Sequence, residues 1–143
     1  MSAHKMIAIL FSLFLMGISG TVCAQTFSSL PESERNAKLI EVAKYVYKNP
    51  QWQNFYREYG TPEIESFVRE GVGRENDPRS KKGPDLGSLI YVVIFRYDKT
   101  KESMEWDYAA KVYISDKGGF AYGIALGNGM ILDTYEMNKN PVR

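Results

Sequence analysis

A single histidine, His4, and a single cysteine, Cys23, supply all the imidazole and thiol of the chain, and both fall within its first 24 residues. That stretch reads as a cleavable export signal. Lys5 gives a positive start, Met6 to Gly17 form an almost unbroken apolar run, and Val22-Cys23-Ala24 has the spacing that a signal peptidase reads. Cleavage after Ala24 leaves a mature chain without imidazole or thiol. Such a chain has no Ser-His-Asp or Cys-His nucleophile, no zinc site built on His or Cys, no thiolate redox chemistry and no internal disulfide. Val22 stands where a lipoprotein signal carries a smaller residue before its cysteine, so simple cleavage is preferred to lipidation.

Other absences narrow the chemistry further. No second apolar run follows the first, which at about a dozen residues is short for a bilayer span of roughly 20. The sequence therefore predicts no transmembrane segment in the mature chain. The signal carries Lys5 and no acid, so 17 basic residues balance 17 acidic ones after it, and nothing suggests an electrostatic grip on nucleic acid. Neither G-x-x-x-x-G-K-[ST] nor G-x-G-x-x-G occurs, and no Ser-x-x-Lys lies beyond the signal. No cofactor is implied. Aromatic residues are plentiful instead: all ten tyrosines, both tryptophans and five of the seven phenylalanines follow the signal.

The patterning predicts an α+β fold in one domain over residues 25–143: two to three N-terminal helices packed on one face of a four-stranded antiparallel meander sheet. Ser29-Leu30-Pro31-Glu32 has the form of a capping box, and Leu39, Val42, Ala43 and Val46 make an apolar track to about Tyr47. Asn49-Pro50 predicts the start of a second helix ending at Gly60, and Thr61-Pro62-Glu63 a third ending at Gly71 and carrying Ile64, Phe67 and Val68. Residues 71–87 hold four glycines, two prolines and almost no apolar side chain, which reads as a long loop. Beyond it the period becomes two. Leu89–Tyr97 reads as a strand covered on both faces, and Met104 to Ser115 alternate as one long half-buried strand. Phe120–Leu126 and Met130–Glu136 follow, after turns at Asp116–Gly119 and Gly127–Gly129.

Candidate sites follow from these placements. On one strand, Glu105 and Asp107 would flank Trp106 and share a face about 7 Å apart, a separation that suits a glycosidase acid and base. An alternating strand also produces such a pair as its wet face. Arg79, Lys81 and Lys82 form a basic cluster inside the long loop, able to grip a carboxylate, a phosphate or an acidic protein surface. Glu75, Asn76 and Asp77 offer oxygen ligands but not the spaced loop of a strong calcium site, so no metal is expected. Trp52, Phe55, Tyr56 and Tyr59 are more aromatics than one short helix can bury, leaving Trp52 or Tyr56 as a candidate contact anchor beside Trp106.

The helices-then-meander outline resembles that of cystatin-like and nuclear transport factor 2-like domains. Gly60-Thr61-Pro62 after a helix and Trp106-Asp107-Tyr108 in a strand are similar to residues of BamE-like envelope modules, although a long loop and an additional strand intervene here. No family is assigned on these few residues and no site is carried over. The leading expectation is a small exported, periplasmic or extracellular, non-catalytic binding protein acting on another protein. An inhibitor or immunity factor that occludes an envelope or secreted enzyme is the type expected. One alternative is a module of cystatin-like or nuclear transport factor 2-like outline holding a small ligand between sheet and helices, which an open cone lined by Tyr91, Trp106 and Tyr122 would favour; the other is a carboxylate-dependent hydrolase using Glu105 and Asp107.

Overall fold

A computed structural model describes residues 26–70 and 84–134. The described residues contain one α-helix, α1 (Glu32–Tyr47), flanked by 3-10 turns at Phe27–Ser29 and Gln53–Phe55. Five strands follow: β1 (Glu63–Val68), β2 (Leu89–Phe95), β3 (Ala110–Ser115), β4 (Ala121–Leu126) and β5 (Ile131–Asp133). Each pairs antiparallel with its sequence neighbour, in the order β1-β2-β3-β4-β5. The architecture is thus α+β with a meander, but with fewer helices and one more strand than the sequence predicts. None of the described helices is long and apolar enough to cross a membrane. The expected signal (1–24) and residues 71–83 of the expected loop lie outside the described residues.

The entry to α1 differs from the expected capping box. Pro31 takes the N-cap position, while the Ser29 hydroxyl donates to the Thr26 carbonyl at 2.7 Å. Phe27 and Leu30 are both buried, and the Ser28 amide and hydroxyl donate to the Asp116 carboxylate at 2.7 and 2.8 Å. Docking this segment fixes the turn and takes Ser29 away from the helix. From Glu32 onward the expected track is realised: Leu39, Ala43 and Val46, joined by Tyr47, face the sheet. They meet Tyr91, Val93 and Phe95 of β2, Val112 and Ile114 of β3, and Ile124 and Leu126 of β4. Each large apolar side chain sealed here contributes about 1.5–3 kcal/mol.

The second predicted helix shrinks to a three-residue turn. The Asn49 side chain accepts the Gln51 amide at 2.9 Å, and Trp52 folds back into the core with its indole N–H on the Val46 carbonyl at 3.1 Å. A helix continuing from Asn49 would carry Trp52 away from that position. The third predicted helix is β1. Ile64, Phe67 and Val68 satisfy helical spacing, yet all six residues of 63–68 pair with β2, whose buried centre offers a hydrogen-bonded ladder that a lone short helix lacks.

The long strand predicted from Met104 begins only at Ala110. The Trp106 amide donates to the Gly127 carbonyl at 3.0 Å, and that of Ala109 to Phe95 at 2.8 Å, so residues 105–107 bend and the alternation breaks. Ala109 and Ala110 are buried in succession against the helix-side core, whereas Tyr108 packs on the opposite face with Val92, Ile94 and Ala125. A bulge opposite Tyr113/Ile114 inserts Tyr122 into β4, since Gly123 pairs with Tyr113 and Ala121 with Ile114. Unbroken alternation would aim Tyr122 at the helix. The bulge instead returns Ala121 to the core and sets Tyr122 beside Tyr113, ring centroids 6.1 Å apart.

Tyr47 joins these layers. Its wholly buried ring lies 4.6 Å from Phe95 and 4.7 Å from Tyr56. Its hydroxyl donates to the Phe55 carbonyl and accepts the Arg57 amide at 3.0 Å. Burial pushes that hydroxyl up to about 12 from its ordinary 10.0. The folded protein therefore retains a proton that the unfolded chain loses first, and the associated stability is whole below pH 10 and drains away toward pH 12. Tyr47→Phe should cost about 1–3 kcal/mol in urea unfolding at neutral pH by stranding two partly buried backbone groups. The variant should also show a shallower loss of stability between pH 10 and 12; an unchanged slope would remove Tyr47 from the alkaline transition.

Candidate functional site

The loop from Arg96 to Ala109 is held by side chains along its length. Asp98 accepts the Thr100 amide and hydroxyl at 2.9 and 2.5 Å, bonds that keep its carboxyl below the usual range. Glu102 takes a two-pronged bond from Arg57, at 2.6 and 3.0 Å, and this guanidinium likewise lowers the Glu102 carboxyl. Tyr97 is buried, and its hydroxyl accepts the Met104 amide at 3.0 Å while donating to the Trp106 carbonyl at 3.1 Å. Arg96 closes the arrangement. It forks onto Glu63 of β1 at 3.1 and 2.8 Å and reaches the Asp107 carboxylate at 2.8 Å.

This frame holds Trp106 outward. The residue is 51% exposed, yet its amide and carbonyl are both fixed, and its indole stacks on Tyr108 at 6.2 Å with planes 19° apart. Lys111 lies over the other ring of that stack, 4.7 Å from the Tyr108 centroid. The β4–β5 turn comes up beside the indole. Gly129 sits at φ +83°, which strains any side chain, and an added Cβ would press the indole at 3.0 Å from Trp106 Nε1, with Glu105 Oε2 at an ordinary 3.6 Å. Met130 and Ile131 follow, 48% and 55% exposed, with Ile131 paired to Ala125 beneath Tyr108. The exposed element here is the Trp106 indole, backed by the buried Tyr108, with Met130 and Ile131 exposed on the adjoining β4–β5 hairpin.

Two polar groups here are open. Neither the Trp106 indole N–H nor the Glu105 carboxylate has a hydrogen-bond or ion-pair partner among the described residues. The site can thus offer an apolar plate, one donor and one acceptor to a facing surface. It has no assembled set of metal ligands: among the described residues no three His, Cys, Asp or Glu side chains converge on a point.

The other sequence-derived candidates separate. Glu105 and Asp107 do not share a strand face, because their segment is a bend, and Asp107 is held by Arg96. Trp52 lies in the core and presents no surface. Tyr56 is half-buried against Tyr47 and donates to Glu58 at 2.6 Å. Tyr91 faces α1, whereas Tyr122 lies on the opposite side of the sheet, so the two do not line one cone with Trp106. Arg79, Lys81 and Lys82 lie outside the described residues, as do Glu75, Asn76 and Asp77. Sequence reasoning missed Tyr97, Arg96 and Gly129, the residues that hold or make room for Trp106; the Gly127-Asn128-Gly129 turn was the one available signal.

No protein-family model, curated protein or solved structure matches the chain.

Tyr97→Phe should loosen the loop without emptying the core. The expected outcome is a loss of about 1–3 kcal/mol with faster amide exchange at Met104 and Trp106; exchange unchanged at both amides would show that the hydroxyl does not hold them.

Proposed function

We propose that the chain is a small, non-catalytic, exported protein that works by binding another protein through the surface centred on Trp106. Occlusion of an envelope or secreted enzyme, as by an inhibitor or immunity factor, is the mode that fits such a surface. The observation that carries this reading is a half-exposed tryptophan whose backbone is held by hydrogen bonds on both sides and whose indole is stacked on the buried Tyr108 ring. An exposed indole is ordinarily a liability, and holding it rigid removes most of the side-chain entropy that binding would otherwise cost. Tryptophan in such a setting is the commonest kind of binding hot spot, surrounded by contacts that mainly exclude water. Glu105 and the indole N–H supply directional bonds. Carboxylate-dependent hydrolysis has less behind it, since Asp107 is engaged by Arg96 and the pair lacks the common strand that would fix its separation. A ligand cone has less as well, with Tyr91, Trp106 and Tyr122 dispersed.

Cross-linked capture from the envelope of the producing cell tests the reading. The native protein should recover a specific partner, and Trp106→Ala should weaken the purified pair by about 30-fold or more, the ~2 kcal/mol of a hot-spot residue. Tyr45→Ala removes a comparably exposed aromatic, 50% open, from α1 and should leave binding intact. A partner retained equally by both variants would move the interface away from Trp106.

A further inference from the structure

Among the described residues β1 is an edge strand, and half of its backbone faces outward. The Arg69 amide donates to the Ser88 carbonyl at 2.8 Å. Antiparallel ladders alternate, so Glu63, Glu65 and Phe67 also turn their amides and carbonyls toward β2, while those of Ile64, Ser66 and Val68 point away from the sheet. The devices that usually protect such an edge are few here. The strand contains no proline or lysine, and its register with β2 has no bulge. α1 packs over β2, β3 and β4, leaving Ser66 and Val68 exposed on the helix side and Phe67 exposed on the other.

We propose that β1 pairs antiparallel with β1 of a second copy about a two-fold axis at Ser66, joining the two sheets into one. The side chains select that register. Only Ile64, Ser66 and Val68 carry outward groups, so they must face one another. Centring on Ser66 engages all three on each strand, with Ser66 opposite its counterpart and Ile64 opposite Val68 of the second copy. One face then has an apolar pair on either side of two hydroxyls. On the other face Glu65 lies across from Phe67, and Glu63 from Arg69. The strand is acidic at its start and basic just past its end, so the antiparallel arrangement brings opposite charges together at both ends of the joint. Arg69 retains its bond to the Pro84 carbonyl, and Glu63 its fork from Arg96, with the second copy's charge beside each. An axis at Glu65 would oppose that carboxylate to itself. One at Phe67 would leave Ile64 outside the ladder.

A six-residue joint is small beside the roughly 1,200–2,000 Å² of a durable interface, so the dimer forms at high micromolar concentration and dissociates on dilution. Sedimentation velocity across the micromolar range reads this directly. Ser66→Pro removes an outward amide that the monomer does not use, and Ser66→Lys keeps the amide but sets two like charges on the axis. Both variants should remain monomeric at concentrations where the native protein is dimeric, with the Ser66→Lys far-ultraviolet dichroism unchanged; Trp106→Ala should dimerise as the native protein does. A native protein that stays monomeric throughout, or a dimer that persists in folded Ser66→Lys, overturns the proposal.

Discussion

A 16-residue helix is about 24 Å long and about 10 Å across, whereas five strands spaced about 4.8 Å apart make a sheet roughly 19 Å wide. α1 can therefore seal only the middle of one face, and the rest of the molecule follows from how the remaining surface is managed. On the helix side, Phe27, Leu30 and Trp52 are drawn in from the flanking segments to complete the core. On the other side no helix among the described residues covers the sheet, yet Ile90, Val92, Ile94 and Ala125 are buried. For Val92, Ile94 and Ala125 the cover includes Tyr108 and Tyr113. Tyr108 curls back from the loop, and Tyr113 and Tyr122 lie side by side because the bulge in β4 turns Tyr122 outward. Burial raises the hydroxyls of both Tyr113 and Tyr122, the latter to about 12, as expected of phenols drawn out of water along with their rings.

Among the described residues the same constraint leaves two features without cover: the aromatic end of the loop at Trp106 and the outer edge at β1. Arg96 connects them. Its guanidinium is shared between Glu63 on the edge strand and Asp107 beside the indole, so the position of the loop is referenced to the strand that borders the sheet. Arg57 and Glu102 provide the second tie, running from the hydroxyl of Tyr47 to the opposite end of the same loop. Exposed ion pairs of this kind add little stability; their effect here is to set geometry. The exposed indole is consequently part of a braced structure, which is why the proposed binding surface is centred on it.

Much of the architecture was legible where the periodicity had one interpretation. Leu39, Ala43 and Val46 could form only a helical stripe, and the continuous apolar run of β2 could only be a strand enclosed on both faces. The glycine pairs of the last two turns sat where hairpins need them, with Gly118, Gly119 and Gly129 at positive φ. Legibility failed where short segments satisfied two periods. Ile64, Phe67 and Val68 fit a helix locally, and only pairing with β2 decides otherwise. Met104, Trp106 and Tyr108 continued the alternation of β3, but backbone bonds to Gly127 and Phe95 bend the chain first. At the site, an aromatic surplus near residues 52–59 gave no means of telling Trp52 from Trp106. Trp52 is buried because Val46 offers its indole a carbonyl, and Trp106 is exposed because Tyr97 and Gly127 hold its backbone at the rim. Those partners are distant in sequence, and their geometry is set by the fold.

The contrast between the two indoles gives the most direct test. The chain has two tryptophans, one N–H bonded in the core and the other open at the surface. Proton exchange with water at the two indole N–H resonances should be slow for Trp52 and fast for Trp106 in the free protein. On binding its partner, Trp106 alone should become protected. Slow exchange at both indoles in the free protein, or a bound state in which Trp106 still exchanges freely, would contradict the account.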